Sequence, residues 1–213
     1  MSSVHTLRRW RGPAFVAVYL WTISALAQTP EPVFQVPSDP EVPVISYSET
    51  PELLGNPDRT PRVQVFGDGL VWVHYPVYMK KAGDYQMQLS RDQLQDLLRE
   101  LAPLIDFDKQ AVSQVRHAAA QARIARSGML FHRSDSLLEA IELNLGSYQA
   151  SGSAPARAIE QELSWTDIRF DAQDFPEISE LQDLDRARQS IRALLDSENL
   201  EQINTPGSEE GNR

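Results

Sequence analysis

The alternation of hydrophobic and polar positions is clearest at residues 62–75, which read Arg-Val-Gln-Val-Phe-Gly-Asp-Gly-Leu-Val-Trp-Val-His-Tyr. Two runs rich in β-branched and aromatic residues flank Asp68 and Gly69, a dipeptide favoured where both residues of a tight turn need positive φ. The pattern predicts a β-hairpin with these two residues as its loop and with Val65 opposite Trp72. One face would then carry Val63, Val65, Leu70, Trp72 and His74, and the other Gln64, Phe66, Val71, Val73 and Tyr75.

The spacing of hydrophobic residues changes to that of a helix after the hairpin. Ser90 and Gln93 have the spacing of a capping box, and Pro103 ends the predicted helix. Short alternating runs at 44–48 and 84–89 predict strands before and after the hairpin. The helix carries an apolar stripe made of Leu94, Leu97, Leu98 and Leu101.

A second helix is predicted at 109–126. Lys109, Arg116 and Arg123 lie seven residues apart on one face, and we interpret this basic stripe as solvated, since charge runs usually are. The alternatives are that it receives an acidic ligand or the protein's own acidic helix. Another face carries a seam of small residues suited to close packing, Ala111, Val115, Ala118, Ala122 and Ala125.

The region 137–148 is compatible with two kinds of structure. Its alternation fits a strand, whereas its Leu, Glu and Ala residues favour a helix. Because Gly128 and Gly146 lie near the two ends of this region, we predict a strand. Residues 163–170 predict a further strand, and Pro176 opens the last helix.

Strands that come first and helices that come later predict an α+β fold. We expect a mainly antiparallel sheet with an Asp-Gly hairpin and about three helices packed on one face. The proline-rich composition of 28–43 predicts an extended linker without packed structure, and the polar residues 204–213 predict a disordered tail. Residues 44–203 then form a single domain, preceded by a signal peptide at 1–27.

The first 27 residues have the three zones of a secretory signal peptide. Residues 1–12 carry three arginines and no acid, residues 13–26 are uncharged and mostly apolar, and Ala25 and Ala27 form an A-x-A site. We predict cleavage between Ala27 and Gln28. An uncleaved membrane anchor is the alternative, but a spanning helix needs about 20 apolar residues and this run is shorter. The sequence therefore predicts an exported protein, periplasmic or secreted, with no membrane span after cleavage.

Charge limits the possible partners of the protein, and cysteine content limits the kinds of site it can contain. Loss of the three signal arginines leaves 17 basic against 30 acidic residues, a formal net charge of −13 in place of −10. Such a surface repels phosphate backbones, so nucleic acid is not an expected partner. The absence of cysteine excludes disulfides, thiolate metal sites and a cysteine nucleophile.

The stretch 44–101, a strand followed by an Asp-Gly hairpin and a capped, leucine-rich helix, resembles small exported bacterial proteins of unknown function. It covers only part of the 213 residues. The resemblance implies no activity, cofactor or functional residues. It is carried by Gly67-Asp68-Gly69, Gly83, Leu89-Ser90 and Leu97-Leu98.

The expected mature chain contains three histidines, His74, His117 and His132, without an HExxH or paired HxH motif, so no metal site is predicted. His74 lies among aromatic residues of the predicted hairpin and the stretch that follows. Such residues dominate binding hot spots, although packing in the core is the alternative. The candidate binding patch consists of Trp72, His74, Tyr75 and Tyr78.

No nucleophile or cofactor motif is present. Gly67 and Gly69 begin a GxGxxG pattern, but Trp72 occupies the position of the third glycine, so no dinucleotide cofactor is predicted. GxSxG, SxxK and Walker motifs are missing. Two groups of acids are interpreted as solvated turns, Asp106 with Asp108, and Asp167 with Asp171 and Asp174.

Two functional hypotheses follow. The first is a non-enzymatic exported domain that binds a protein in the cell envelope or outside the cell. The second is a hydrolase with an unrecognised site, in which His74 or His132 acts with a nearby carboxylate. The missing catalytic motifs favour the first hypothesis.

Overall fold

The computed structural model describes residues 31–52, 57–128 and 136–204, which form an eight-stranded sheet with four α-helices. Every strand pair in these ranges is antiparallel, which confirms the predicted α+β class. The strands are β1 Val33–Gln35, β2 Ile45–Pro51, β3 Val63–Val65, β4 Leu70–Tyr75, β5 Gly83–Gln88, β6 Leu137–Gln149, β7 Arg157–Thr166 and β8 Glu201–Asn204. The helices are α1 Arg91–Leu101, α2 Lys109–Ser127, α3 Ile168–Asp174 and α4 Ser179–Leu195.

The sheet follows the order β1-β6-β2-β3-β4-β5-β8, and β7 pairs with β6. Its apolar face packs against α1 and α4, which also contact each other. The capping box at Ser90 and Gln93 is present, and the predicted leucine stripe of α1 is buried. No helix within the described ranges combines the length and apolar character that crossing a membrane requires.

The predicted linker contains a strand of the sheet. Residues of β1 pair with β6, and Phe34 is buried with its ring centroid 5.5 Å from that of Tyr148. The prediction of an unpacked segment at 28–43 is therefore wrong at Val33–Gln35, where one buried aromatic side chain offsets the effect of the surrounding prolines. At the other end, Asn204 belongs to β8, while the rest of the predicted tail lies outside the described residues.

The predicted register of the hairpin is wrong by one residue. The Phe66 N–H donates to the Leu70 carbonyl at 2.8 Å, and the Gly69 N–H donates to the Phe66 carbonyl at 3.0 Å, so the loop contains three residues. This loop follows the pattern of a type I turn completed by a residue of positive φ. Because side chains alternate along a strand, the shift exchanges the two faces of β4. Trp72 therefore pairs with Gln64, and Val71 joins the core.

Replacing Gly69 with alanine is expected to lower the free energy of unfolding by about 1–3 kcal/mol. Its φ is +88°, and an added Cβ would lie 2.4 Å from the Leu89 carbonyl oxygen. Gly152 is the matched control, since no atom lies within 4 Å of its Cβ position. Gly152→Ala should be neutral or stabilising by up to about 1 kcal/mol. Urea denaturation of both variants measures the difference, and equal effects would contradict the role of Gly69.

Helix α2 packs through a face other than the predicted one. The seam of small residues is exposed, and Val112 is the buried residue of the helix. Arg116 and Arg123 instead pair with Asp171 and Asp174 of α3. The interpretation of the basic stripe as solvated is therefore wrong for Arg116 and Arg123, for which the alternative of the protein's own acidic helix describes the structure, whereas Lys109 is exposed.

The second half of the chain confirms one strand and corrects another. Residues 137–149 form the longest strand, so the predicted strand at 137–148 is confirmed. The strand predicted at 163–170 ends at Thr166, and α3 begins at Ile168. Asp167 separates them with a left-handed backbone, φ +59°, which breaks the strand. The described residues therefore contain four α-helices where about three were expected.

Candidate functional site

The structure does not bring the four residues of the predicted binding patch together: three lie on the two faces of β4 and Tyr78 lies on the turn that follows. Trp72 and Tyr78 are 48% and 56% exposed, and His74 is partly buried on the same face of β4 as Trp72. Tyr75 lies on the opposite face, where it is buried and its hydroxyl donates to the Leu195 carbonyl. Including Tyr75 in the patch is therefore wrong, because its position in the strand directs its side chain into the core.

Three exposed apolar side chains lie on the turn that joins β4 to β5. Val77 is 74% exposed, Tyr78 is 56% exposed and Met79 is 38% exposed. The turn is ordered by hydrogen bonds from the Met79 N–H to the Pro76 carbonyl, 2.9 Å, and from the Ala82 N–H to the Met79 carbonyl, 3.1 Å. We call Trp72, which lies on β4, and Val77, Tyr78 and Met79 of the turn the hairpin surface. Exposed apolar residues grouped on one element in this way mark candidate interaction sites.

Trp72 occupies the centre of a row across three strands. Gln64 of β3 and Gln86 of β5 are its direct neighbours in the sheet. The Phe66 ring meets the Trp72 ring edge-on, with centroids 6.0 Å apart and an interplanar angle of 71°. This contact holds the indole while about half of its side chain stays open to solvent.

His74 lies between two carboxylates. Its Nδ1 is 2.6 Å from Asp84 Oδ1, and its Nε2 is 2.9 Å from Asp58 Oδ2. Burial lowers the pKa of His74, but hydrogen bonds and charge from Asp84 and Asp58 outweigh burial and raise the pKa above 6.5. The Thr60 backbone N–H, with a further contribution from His74, lowers the pKa of Asp58 to about 2. An imidazolium that donates to both carboxylates satisfies this geometry.

The His74 cluster makes stability depend on pH in a defined window. Because the pKa of His74 is raised on folding, its stabilising contribution is complete below pH 6.5 and disappears as the pH rises through the pKa of the folded state. Because the pKa of Asp58 is lowered, its stabilising contribution is present above pH 3.8 and disappears as the pH falls to about 2. The destabilisation caused by His74→Gln should therefore be largest near pH 5–6 and shrink toward pH 9. For these partly exposed pairs it should be about 1 kcal/mol or less. Thermal unfolding of both proteins across this range measures it, and a difference independent of pH would contradict the assignment.

The same geometry bears on the hydrolase hypothesis. Asp84 orients the His74 ring as the carboxylate of a catalytic triad would, but Nε2 contacts Asp58 where a nucleophile hydroxyl would lie. With both nitrogens engaged by carboxylates, His74 has no open nitrogen with which to abstract a proton in this conformation. His132 lies outside the described residues. The hydrolase hypothesis therefore stays a prediction.

A buried polar cluster missed by the sequence reading lies between the sheet and α4. Glu49 of β2 and Glu139 of β6 are direct cross-strand neighbours, and the Tyr47 hydroxyl lies 2.9 Å from Glu49 Oε1 and 2.6 Å from Glu139 Oε1. One hydroxyl proton serves only one of these carboxylates. Burial raises the pKa of Glu139 against the opposing effects of Tyr47 and Arg188. The shorter of the two distances identifies Glu139 as the acceptor of the hydroxyl proton.

Three arginines surround this cluster. Arg192 pairs with Glu49, and Arg188 Nη1 lies 3.8 Å from Glu139 Oε1. Arg62 lies 3.8 Å from Glu49 and 5.4 Å above the Tyr75 ring, with its Nε buried and without a hydrogen-bond partner. Tyr47 and Glu139 are buried, and the cluster connects β2, β6 and α4. Its members are far apart in sequence and lack a motif, so sequence reasoning had no signal for it.

Among the residues that the structure describes, no group of three or more His, Asp or Glu side chains is arranged to hold a metal ion. The signal cleavage site at Ala27 and Gln28 lies outside the described ranges. Comparisons of the chain with protein-family models, curated proteins and solved structures found no match. The resemblance to small exported bacterial proteins therefore stays a prediction.

Proposed function

We propose that this protein is a non-enzymatic exported domain that binds another protein in the cell envelope or outside the cell through the hairpin surface. The observation that carries the proposal is the exposure of four large apolar side chains on the β4–β5 hairpin, Trp72 on strand β4 and Val77, Tyr78 and Met79 on the turn. Aromatic residues supply much of the binding energy in protein interfaces. The predicted signal peptide supports the location.

The surroundings of the hairpin surface suggest the partner's chemistry. Lys80 and Lys81 follow Met79 directly and are exposed, so this end of an acidic protein is locally basic. An apolar pocket rimmed by acidic residues would complement it, because rim charges steer association while buried aromatic side chains supply affinity. The order of the turn limits the entropy lost on binding.

Replacing Trp72 with alanine is expected to weaken partner binding by about 30-fold, the effect of removing a hot-spot side chain worth about 2 kcal/mol. The experiment is chemical cross-linking of the tagged protein in its native host, followed by mass spectrometry and by affinity measurement with the captured partner. Tyr78→Ala should act in the same direction. Both exposed residues can be replaced without opening the core.

Val115→Ala is the matched control, since Val115 is 54% exposed on α2 and lies outside the hairpin surface. This variant should bind as the wild type does. Unchanged partner recovery by a folded Trp72→Ala variant would exclude the hairpin surface, and a folded, exported wild type that captures no protein would contradict the proposed function.

A further inference from the structure

A crevice of about 510 Å³ lies between strand β1, the hairpin loop and helix α1. Small-molecule sites are clefts of about 300–1,000 Å³ that combine an apolar lining with a few polar groups. The crevice is therefore large enough for a small ligand. It is distinct from the hairpin surface, because the loop that lines it joins β3 to β4, whereas the exposed turn joins β4 to β5.

The floor of the crevice is apolar. Phe34 of β1 and Leu94 of α1 are buried core residues, and Val36 packs against the same core. A Cβ on Gly67 would lie 3.0 Å from the Val36 side chain, so the glycine allows the chain after β1 to lie close to the hairpin loop. The cleft is thus built by close packing of the segment whose composition predicts a linker.

The rim carries one cation and neutral amides. Arg91, the first residue of α1, is exposed, and within the described ranges it forms no ion pair with a carboxylate. Gln35 and Gln95 add neutral hydrogen-bonding groups. The one carboxylate of the lining, Asp68, accepts the Leu70 N–H at 2.9 Å. A cation beside an apolar floor complements a ligand with one negative charge and an apolar body.

We infer that this crevice binds a monocarboxylate with an apolar chain or ring system. The carboxylate pairs with the Arg91 guanidinium, and the apolar body lies on Phe34 and Leu94. A single cation matches a single negative charge, whereas a polyphosphate would meet Asp68 and the acidic surface. Charge-assisted hydrogen bonds from an arginine make the headgroup a determinant of affinity.

The test uses decanoate and decanol as probes, with binding to the mature protein measured by isothermal titration calorimetry. Arg91→Gln should weaken decanoate binding by about tenfold, the effect of losing a hydrogen bond to a charged group. It should leave decanol binding unchanged, since decanol lacks the charge. Arg186→Gln on the exposed face of α4 is the control and should change neither affinity.

Gln95→Trp provides a second variant, because a large side chain at this half-buried position occupies part of the crevice and should weaken binding of both probes. Circular dichroism establishes that each variant is folded. The inference is overturned if the wild type binds neither probe, if a folded Gln95→Trp variant binds both as before, or if Arg91→Gln fails to discriminate decanoate from decanol. These results are independent of partner capture by the hairpin surface.

Discussion

Replacing Arg188 with alanine is expected to lower the free energy of unfolding by about 3–5 kcal/mol. Arg188 is 9% exposed, and its guanidinium lies 3.8 Å from Glu139 and donates to Asp185 at 2.8 Å. Removing it leaves two poorly solvated carboxylates without their cation. Breaking one side of a buried ion pair is costly because the remaining charge keeps its desolvation penalty. Urea denaturation monitored by circular dichroism measures the change.

Arg186 is the matched control, two residues away on the same helix. It pairs with Asp183 three residues earlier, as Arg188 pairs with Asp185, but its side chain is 58% exposed. Exposed pairs of this kind contribute about 0.2–1 kcal/mol, so Arg186→Ala should have a small effect. Equal effects of the two variants would show that burial does not determine the contribution of Arg188.

A further pair of variants compares the two carboxylates of this cluster. Burial raises the pKa of Glu139, so the neutral amide of Glu139→Gln removes the desolvation cost of a charge, and its oxygen can still accept the Tyr47 hydroxyl. Glu49→Gln should cost more, since Glu49 pairs with both Arg192 and Arg62 and is less deeply buried. The reverse order of the two effects would contradict this difference between the two carboxylates.

Replacing Asp171 with alanine is expected to cost about 1–3 kcal/mol and to loosen α2. Asp171 is 2% exposed and accepts hydrogen bonds from Arg116 Nη2 at 2.9 Å and Trp165 Nε1 at 2.8 Å. Arg116 Nε lies 2.7 Å from the second oxygen, in a geometry that forms an ion pair without a hydrogen bond. The variant leaves a cation and a buried indole N–H without their acceptor.

Loss of Asp171 should affect α2 most, because this helix has one buried residue, Val112, beside the partly buried Ala119 and Ala120, and it also makes ion-pair and cation–π contacts with its neighbours. Amide hydrogen exchange across 109–127 should therefore accelerate more than exchange in α1. Asp106→Ala is the control, since Asp106 forms an exposed pair with Arg157. The role of Asp171 would be contradicted if the Asp171→Ala variant had the same free energy of unfolding and the same exchange rates as this control.

The predictable part of the fold depends on short-range signals. The capping box at Ser90 and Gln93 completes its hydrogen bonds within three residues, and the alternation at 137–148 identifies a strand whose faces differ in burial. The hairpin itself follows from two β-rich runs around a glycine-containing turn. Its register does not, because two-residue and three-residue loops both fit that sequence and only cross-strand packing selects between them.

The candidate sites also contain some residues that the local sequence identifies and others that only the tertiary structure brings together. Trp72 and Tyr78 are recognisable from the sequence as aromatic residues on a hairpin and its following turn. Tyr75 is predicted on the opposite face of β4 from Trp72, and its place in the patch fails because that face is buried in the core. Glu49 and Glu139 are 90 positions apart, and nothing in either local sequence indicates that they meet. The sequence around Asp171 indicates only an acid in a solvated turn. Its buried position becomes evident only from the tertiary structure, in which Arg116 of α2 and the indole of Trp165 contact it.

The sequence by itself determined the α+β class, the position of the hairpin, the start of α1 and the absence of recognisable catalytic motifs, because these depend on spacing and composition over a few residues. The tertiary structure decided which face of each element is buried. In the tertiary structure β1 pairs with the sheet, Arg116 and Arg123 of α2 pair with acids of α3, and the small-residue seam of α2 is exposed. The physical reason is that the burial of a face depends on which distant segment covers it, and local periodicity carries no information about that partner.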